Sequence, residues 1–136
     1  MNQSDFETFV SELSNVQRTE NFGYSFFFVG DDQSLPFVTF AGSDNEYDDV
    51  SDLNREGVFR ANIGVSRETY DRLVGHMDAG DIDYSQLDVF LPHPHYAMQN
   101  FVCILSPEGE NVEETTRLIV EAHSIADARY RRIAKK

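Results

Sequence analysis

Residues 87–105 read LDVFLPHPHYAMQNFVCIL, and this stretch holds two of the four histidines, two of the four prolines and the only cysteine of the chain. Its second half, Asn100 to Leu105, is an apolar run of strand length stopped by Ser106-Pro107, so it reads as a core strand. Its first half is different in kind. Pro92 and Pro94 each fix their own φ and hold the preceding residue extended, so Pro92 to Tyr96 reads as a stiff turn that presents His93, His95 and Tyr96. A buried strand entered through a rigid polar turn and left toward a long helix points to a mixed sheet-and-helix domain.

The flanking segments agree with that class. Ser4, with Glu7 three residues on, opens a first helix whose Phe6, Phe9, Val10, Leu13 and Val16 fall on one face. Arg18 to Asn21 reads as a polar connection. Phe22 to Val29 is a strand dense in aromatics, Gly30 to Ser34 a turn, and Pro36 to Ala41 a second strand. Gly42 to Gly57 is a long acidic connection, and loops of that length in compact domains are usually functional. Val58 to Val65 is a third strand, with Phe59, Ala61, Ile63 and Val65 on one face and Val58, Arg60, Asn62 and Gly64 on the other. Ser66 caps a second helix with a Tyr70, Leu73, Val74 and Met77 stripe. Asp78 to Ser85 is another acidic loop and Gln86 to Phe90 a short helical turn. Asn111 and Glu114 make a capping box for the last helix, striped by Leu118, Ala122, Ile125, Ala126 and Ile133. The expected order is αβββαβα: one α+β domain over residues 1–136, two-layered, with an antiparallel sheet of about four strands and helices on one side.

Composition bounds the function classes. A chain of 136 residues is long enough for one core, and eleven Phe and six Tyr exclude a disordered reading. No apolar run is long enough to span a bilayer, and Asp5 and Glu7 stand where a signal peptide would carry Lys or Arg, so a cytoplasmic protein with no membrane partner is expected. Cys103 alone forms no intramolecular disulfide, which suits a reducing compartment. The net charge of −13 argues against a nucleic-acid partner. Six of the eleven basic residues do cluster at the C-terminus (Arg117, Arg129, Arg131, Arg132, Lys135, Lys136), where they complement a helix dipole. Eight acidic residues lie between Asp31 and Glu56, Asp32 among them, and Lys occurs only at positions 135 and 136. This excess of acid with scarce Lys resembles proteins from salt-loving organisms, where carboxylates serve solvation.

Side chains two apart in an extended segment point the same way, so His93 and His95 are placed to face one ligand. With a carboxylate from the 44–52 loop they have the composition of a metal site; without one, the imidazoles bond to backbone. The His-x-His pattern is similar to the first cupin motif, but Gln99 stands where a Glu ligand belongs and no second motif follows, so a cupin is not expected. Cys103, in an apolar strand, reads as an inert buried thiol. No nucleophile elbow or phosphate loop is present, and no motif calls for a cofactor. Arg60 and Asn62 occupy a strand face with no evident cover. There they either line an open surface suited to a planar or anionic small molecule, or Arg60 pairs with the acidic loop just before it.

Four stretches in combination carry a family resemblance: Phe37 to Phe40, Glu46 to Leu53, Gly57 to Ser66 (GVFRANIGVS) and Pro92 to Tyr96 (PHPHY). They resemble a bacterial and archaeal domain family of unknown function over nearly the whole chain. Where that pattern favours Trp at the start of the last strand, this chain has Phe101. More remotely, Phe59 to Asn62 and the His-Tyr before the last strand look like the MmcQ/YjbR group. That likeness implies a frataxin-like (CyaY-like) two-layer fold. Neither resemblance brings a reaction. Three functional readings follow. The first is a small-ligand-binding or accessory domain with a site at Asp48, Asp49, Arg60, Asn62, His93, His95 and Tyr96. The second is a divalent-metal-dependent enzyme using His93, His95 and a loop Asp, and the third an interaction module or homodimer joined through the open sheet face.

Overall fold

A computed structural model describes residues 1–31 and 33–134. Asp32 of the acidic turn and Lys135 and Lys136 of the basic cluster lie outside the described residues. The elements run α1 (Gln3–Ser11), β1 (Val16–Asn21), β2 (Tyr24–Val29), β3 (Val38–Ala41), β4 (Arg60–Gly64), α2 (Arg67–Val74), β5 (Leu91–Pro92), β6 (Phe101–Leu105) and α3 (Glu110–Ala134). Single 3₁₀ turns lie at Ala79–Asp81 and Ala97–Gln99. The strands form one sheet in the order β1-β2-β3-β4-β6-β5, and every neighbouring pair is antiparallel.

The α+β class and the antiparallel sheet are as expected, but the sheet has six strands rather than about four, and the order is αββββαββα. The first extra strand is β1, which includes the Arg18–Asn21 segment expected to be a connection. It lies at the sheet edge with its residues mostly exposed, so its polar side chains face water and give no apolar signal. β1 and β2 join through Phe22-Gly23, both at positive φ (53° and 80°), a two-residue turn of the type whose twist matches the strands. The second extra strand is β5. Gln86–Phe90, expected to be helical, instead carries Asp88 at φ 61° with its N–H donating to Leu105 O (2.7 Å), which leads the chain extended into β5.

Helix ends also shift. The first helix is capped by Asn2 in a reciprocal box with Asp5 rather than from Ser4, whereas Ser66 caps α2 as expected. Asn111 lies inside α3, and its Nδ2 donates to Asp88 O and Oδ1 (both 3.1 Å). On α3 the buried stripe is Thr115, Leu118, Ile119, Ala122 and Ala126, while Ile125 and Ile133 are exposed.

Strand alternation divides the sheet cleanly. Phe27, Val38, Phe40, Ala61, Ile63, Val102 and Ile104 share a core with Phe6 and Val10 of α1, Val74 of α2 and Leu118, Ile119 and Ala122 of α3. The helices therefore cover one face. The registers bring Phe26, Thr39, Asn62, Cys103 and Leu91 into one row across the other face, with Tyr24, Ala41, Arg60 and Leu105 in the next row.

Candidate functional site

This second face is not open, which corrects the expectation drawn from β4. Residues 42–57 fold back over one end of it and bury Asp48, Ser51 and Leu53. The loop is organised by its own side chains. Leu53 N donates to Asp44 Oδ1 (2.9 Å), Asp44 N to Asn54 Oδ1 (3.1 Å), and Tyr47 N and Asp48 N to Asn45 Oδ1 (2.7 and 3.0 Å). Arg55 pins it through donations to the carbonyls of Ser51 (3.0 Å), Asp52 (2.8 Å) and Ser85 (2.9 Å).

Arg60, 0% exposed, is the hub beneath that loop. Its Nε donates to Asn62 Oδ1 (2.9 Å), one terminal nitrogen to Ser51 Oγ (2.9 Å) and Asp48 Oδ1 (3.3 Å), and the other to Tyr24 Oη (3.2 Å) and to Asp48 Oδ2. These contacts engage the full set of five guanidinium donors. Of the two readings of Arg60, pairing with the preceding acidic loop is the one the geometry realises. Tyr24 donates its hydroxyl proton to Asp48, and Asn62 Nδ2 donates to Thr39 Oγ1 (3.0 Å). Burial alone would raise the Asp48 pKa, but the bonds from Arg60 and Tyr24 outweigh it and hold the carboxylate below its usual range. Burial and the bond to Asp48 together raise Tyr24, keeping its phenol protonated.

A cavity of about 660 Å³ lies between the 42–57 loop and the His-Pro turn, over the row of Phe26, Thr39 and Asn62. That volume is in the range of small-molecule sites. Of the residues singled out in the sequence, Asp48, Asn62, His93, His95 and Tyr96 line it. Arg60 lies behind the wall and Asp49 is exposed outside it. Tyr24, Phe26, Thr39, Tyr47 and Phe101 join the lining without having been foreseen. For Tyr24 and Thr39 the only sequence signal was strand alternation, which selects a face only once the register is known.

The rings lie in two groups. Phe22 of the hairpin turn meets Tyr47 of the loop edge-on (5.6 Å, 77°) at one side. On the other, His93 packs with His95 (6.0 Å), Tyr96 (5.1 Å) and Phe101 (6.3 Å). The Phe101 ring can lie across β4 because residue 64 is glycine: a Cβ there would stand 2.9 Å from the ring.

His93 is 5% exposed, and its orientation is fixed by backbone. The N–H groups of His95 and Tyr96 both donate to its Nδ1 (3.0 Å each), so Nδ1 carries the lone pair and Nε2 the proton. Burial, then the Arg60 cation, push its pKa down to about 3, so the ring is neutral. This turn uses one lone pair on backbone and leaves the other nitrogen protonated, which removes His93 as a metal ligand. Among the described residues no three His, Cys, Asp or Glu side chains stand close enough to share an ion. Cys103 is buried beneath the site, its thiol pushed up to about 12 by burial, which suits an inert core residue.

No helix of the structure is long and apolar enough to cross a membrane. No curated protein and no solved structure matches the chain, so the more remote likeness to the MmcQ/YjbR group and its frataxin-like fold has no support from these comparisons. Residues 1–135 match a family of unknown function, DUF6194. With the match running from end to end, the chain belongs to the DUF6194 family.

Proposed function

We propose that this protein is a small-ligand-binding or accessory domain whose site is the cavity between the 42–57 loop and the His93–Tyr96 turn. One observation carries this reading: a buried histidine held neutral and oriented by two backbone amides, lining a cavity between two groups of rings. Such a fixed polar group among apolar walls is the usual make-up of a ligand site. Asn62, His93, His95 and Tyr96 are its contact residues, and Arg60 is a positioning residue that holds Asp48, Tyr24 and Asn62 in place. Asp49 has no part in it. A cytoplasmic setting, and a salt-rich one that accounts for the acidic composition, suit the reading. Fragment screening by protein-observed NMR tests the assignment. Thr39→Leu, which fills the floor, and Tyr96→Ala, which opens one wall, are expected to weaken every hit, and hits insensitive to both would place the site elsewhere.

A second reading rests on the rim. Phe22, Leu35, Tyr47, Tyr96 and Met98 are all exposed, and apolar side chains gathered at one mouth also suit self-association. Light scattering over a range of protein concentrations tests it: a strict monomer that still binds fragments leaves only the ligand reading.

A further inference from the structure

We propose that the occupant of the cavity is an uncharged planar ring bearing a hydrogen-bond acceptor, held between the two aromatic groups with its acceptor on His93 Nε2. This rests on the cavity being the ligand site and adds the chemical class of what it takes.

Charge is the first argument. The chain carries −13, yet Asp48 is the only Asp, Glu, Lys or Arg in the cavity wall, and its carboxylate is already paired with Arg60 and bonded by Tyr24. An anion entering would leave water for a floor with no uncommitted cation, and a cation for one with no uncommitted anion. Either transfer costs several kcal/mol that nothing in the wall returns.

The polarity of the floor is the second. His93 Nε2–H has no partner among the described residues, since the bonds to this ring both fall on Nδ1. Asn62 spends its carbonyl oxygen on Arg60 and one amide proton on Thr39, which leaves its other N–H. Thr39 Oγ1 accepts from Asn62 and keeps its own proton to give. The floor is therefore rich in neutral donors, which match a carbonyl or ring-nitrogen acceptor and disfavour the ammonium guests that aromatic cages otherwise take.

Ring geometry is the third. Among the described residues no ring of the Phe22/Tyr47 pair touches one of the His93, His95, Tyr96 and Phe101 group, so the space between them is bounded by rings on both sides. Flat guests gain most from stacking in such a slot.

The test is a fragment library of planar heterocycles divided equally among neutral, anionic and cationic members, screened on the full chain by amide chemical shifts near neutral pH. Matched sets such as nicotinamide, nicotinate and N-methylnicotinamide give the comparison at constant ring shape. The expected result is that hits moving the amides of residues 93–101 and 45–48 fall among the neutral acceptors. Their charged counterparts are expected to bind about tenfold more weakly or worse. His93→Asn keeps an acceptor for the two backbone amides but lacks Nε2–H, and is expected to weaken the neutral hits about tenfold while the fold persists. Charged members binding as well as or better than neutral ones, or neutral hits indifferent to His93→Asn, would overturn the ligand class and leave the cavity as a site. No hit from any class at millimolar concentration would overturn both.

Discussion

Acidification provides a direct measurement of how His93 is held. In the folded chain its pKa is pushed down to about 3, whereas the unfolded chain titrates near the ordinary value of about 6.5. Between those values the unfolded state binds a proton that the folded state refuses, so stability contributed by the neutral ring is complete above the unfolded pKa and drains away as pH falls below it. The slope approaches about 1.4 kcal/mol per pH unit, and from about pH 7 to about pH 5 the loss from this one group is about 2 kcal/mol. For a domain with a total stability of roughly 5–15 kcal/mol, that is a readily measured share.

Urea unfolding followed by circular dichroism at several pH values measures it, with His93→Asn as the control. The substitution keeps a δ-position acceptor for the His95 and Tyr96 amides but does not titrate, so the difference between the two pH profiles isolates the ring. Wild type is expected to lose about 2 kcal/mol more than the variant over that interval. Parallel profiles would refute the reasoning, because they would mean that the folded ring accepts a proton as readily as the unfolded one. Nitrogen chemical shifts of the imidazole check the same point independently: the proton is expected on Nε2, and one on Nδ1 would contradict the two amide contacts.

Arg60→Leu leaves the Asp48 carboxylate buried without its cation and is expected to cost about 3–5 kcal/mol in urea unfolding, whereas the double variant with Asp48→Leu is expected to recover part of that loss; a single-variant cost below about 1 kcal/mol would mean the pair is hydrated. Gly64→Ala places a methyl group against Phe101 and is expected to cost about 1–3 kcal/mol and to weaken fragment binding, because the ring that walls the cavity must move. Phe22 holds a left-handed conformation with its ring 59% exposed, which is unusual for a bulky residue. Phe22→Asn suits the turn better and is expected to stabilise the fold by about 1 kcal/mol while weakening binding at the rim; unchanged stability would show that the turn is unstrained.

What the sequence made legible is what depends on local pattern. The aromatic density of Tyr24 to Val29, the alternation through Phe59 to Val65 and the apolar run of Phe101 to Leu105 each locate a strand without reference to any other segment. β1 failed the same test because an edge strand with charged side chains needs only a partner's backbone, and β5 because two residues hold no period. The site divides in the same way. The prolines marked the turn, and the turn does present His93, His95 and Tyr96 to one cavity. Whether Arg60 faced solvent or a carboxylate was not legible, since it depends on the 42–57 loop crossing the sheet. That crossing depends in turn on Asp44, Asn45 and Arg55 bonding within the loop and to Ser85.

The acidity of this chain shows how composition and site can part company. Of the acidic residues between Asp31 and Glu56 that the structure describes, Glu46, Asp49, Asp52, Glu56 and Asp31 are exposed, Asp44 shapes the loop, and Asp48 alone reaches the cavity. There it meets the guanidinium of Arg60, so the charge that dominates the surface is cancelled at the one place where a ligand would feel it at close range. Surface carboxylates are screened within about 10 Å at moderate salt, so their field adds little inside the cavity. Net charge thus bears on solvation and on which polymers the protein repels, while selectivity rests on uncharged donors and rings. A direct consequence is that fragment affinity at this cavity should barely change with ionic strength, whereas a site reading the surface charge would weaken steeply as salt rises.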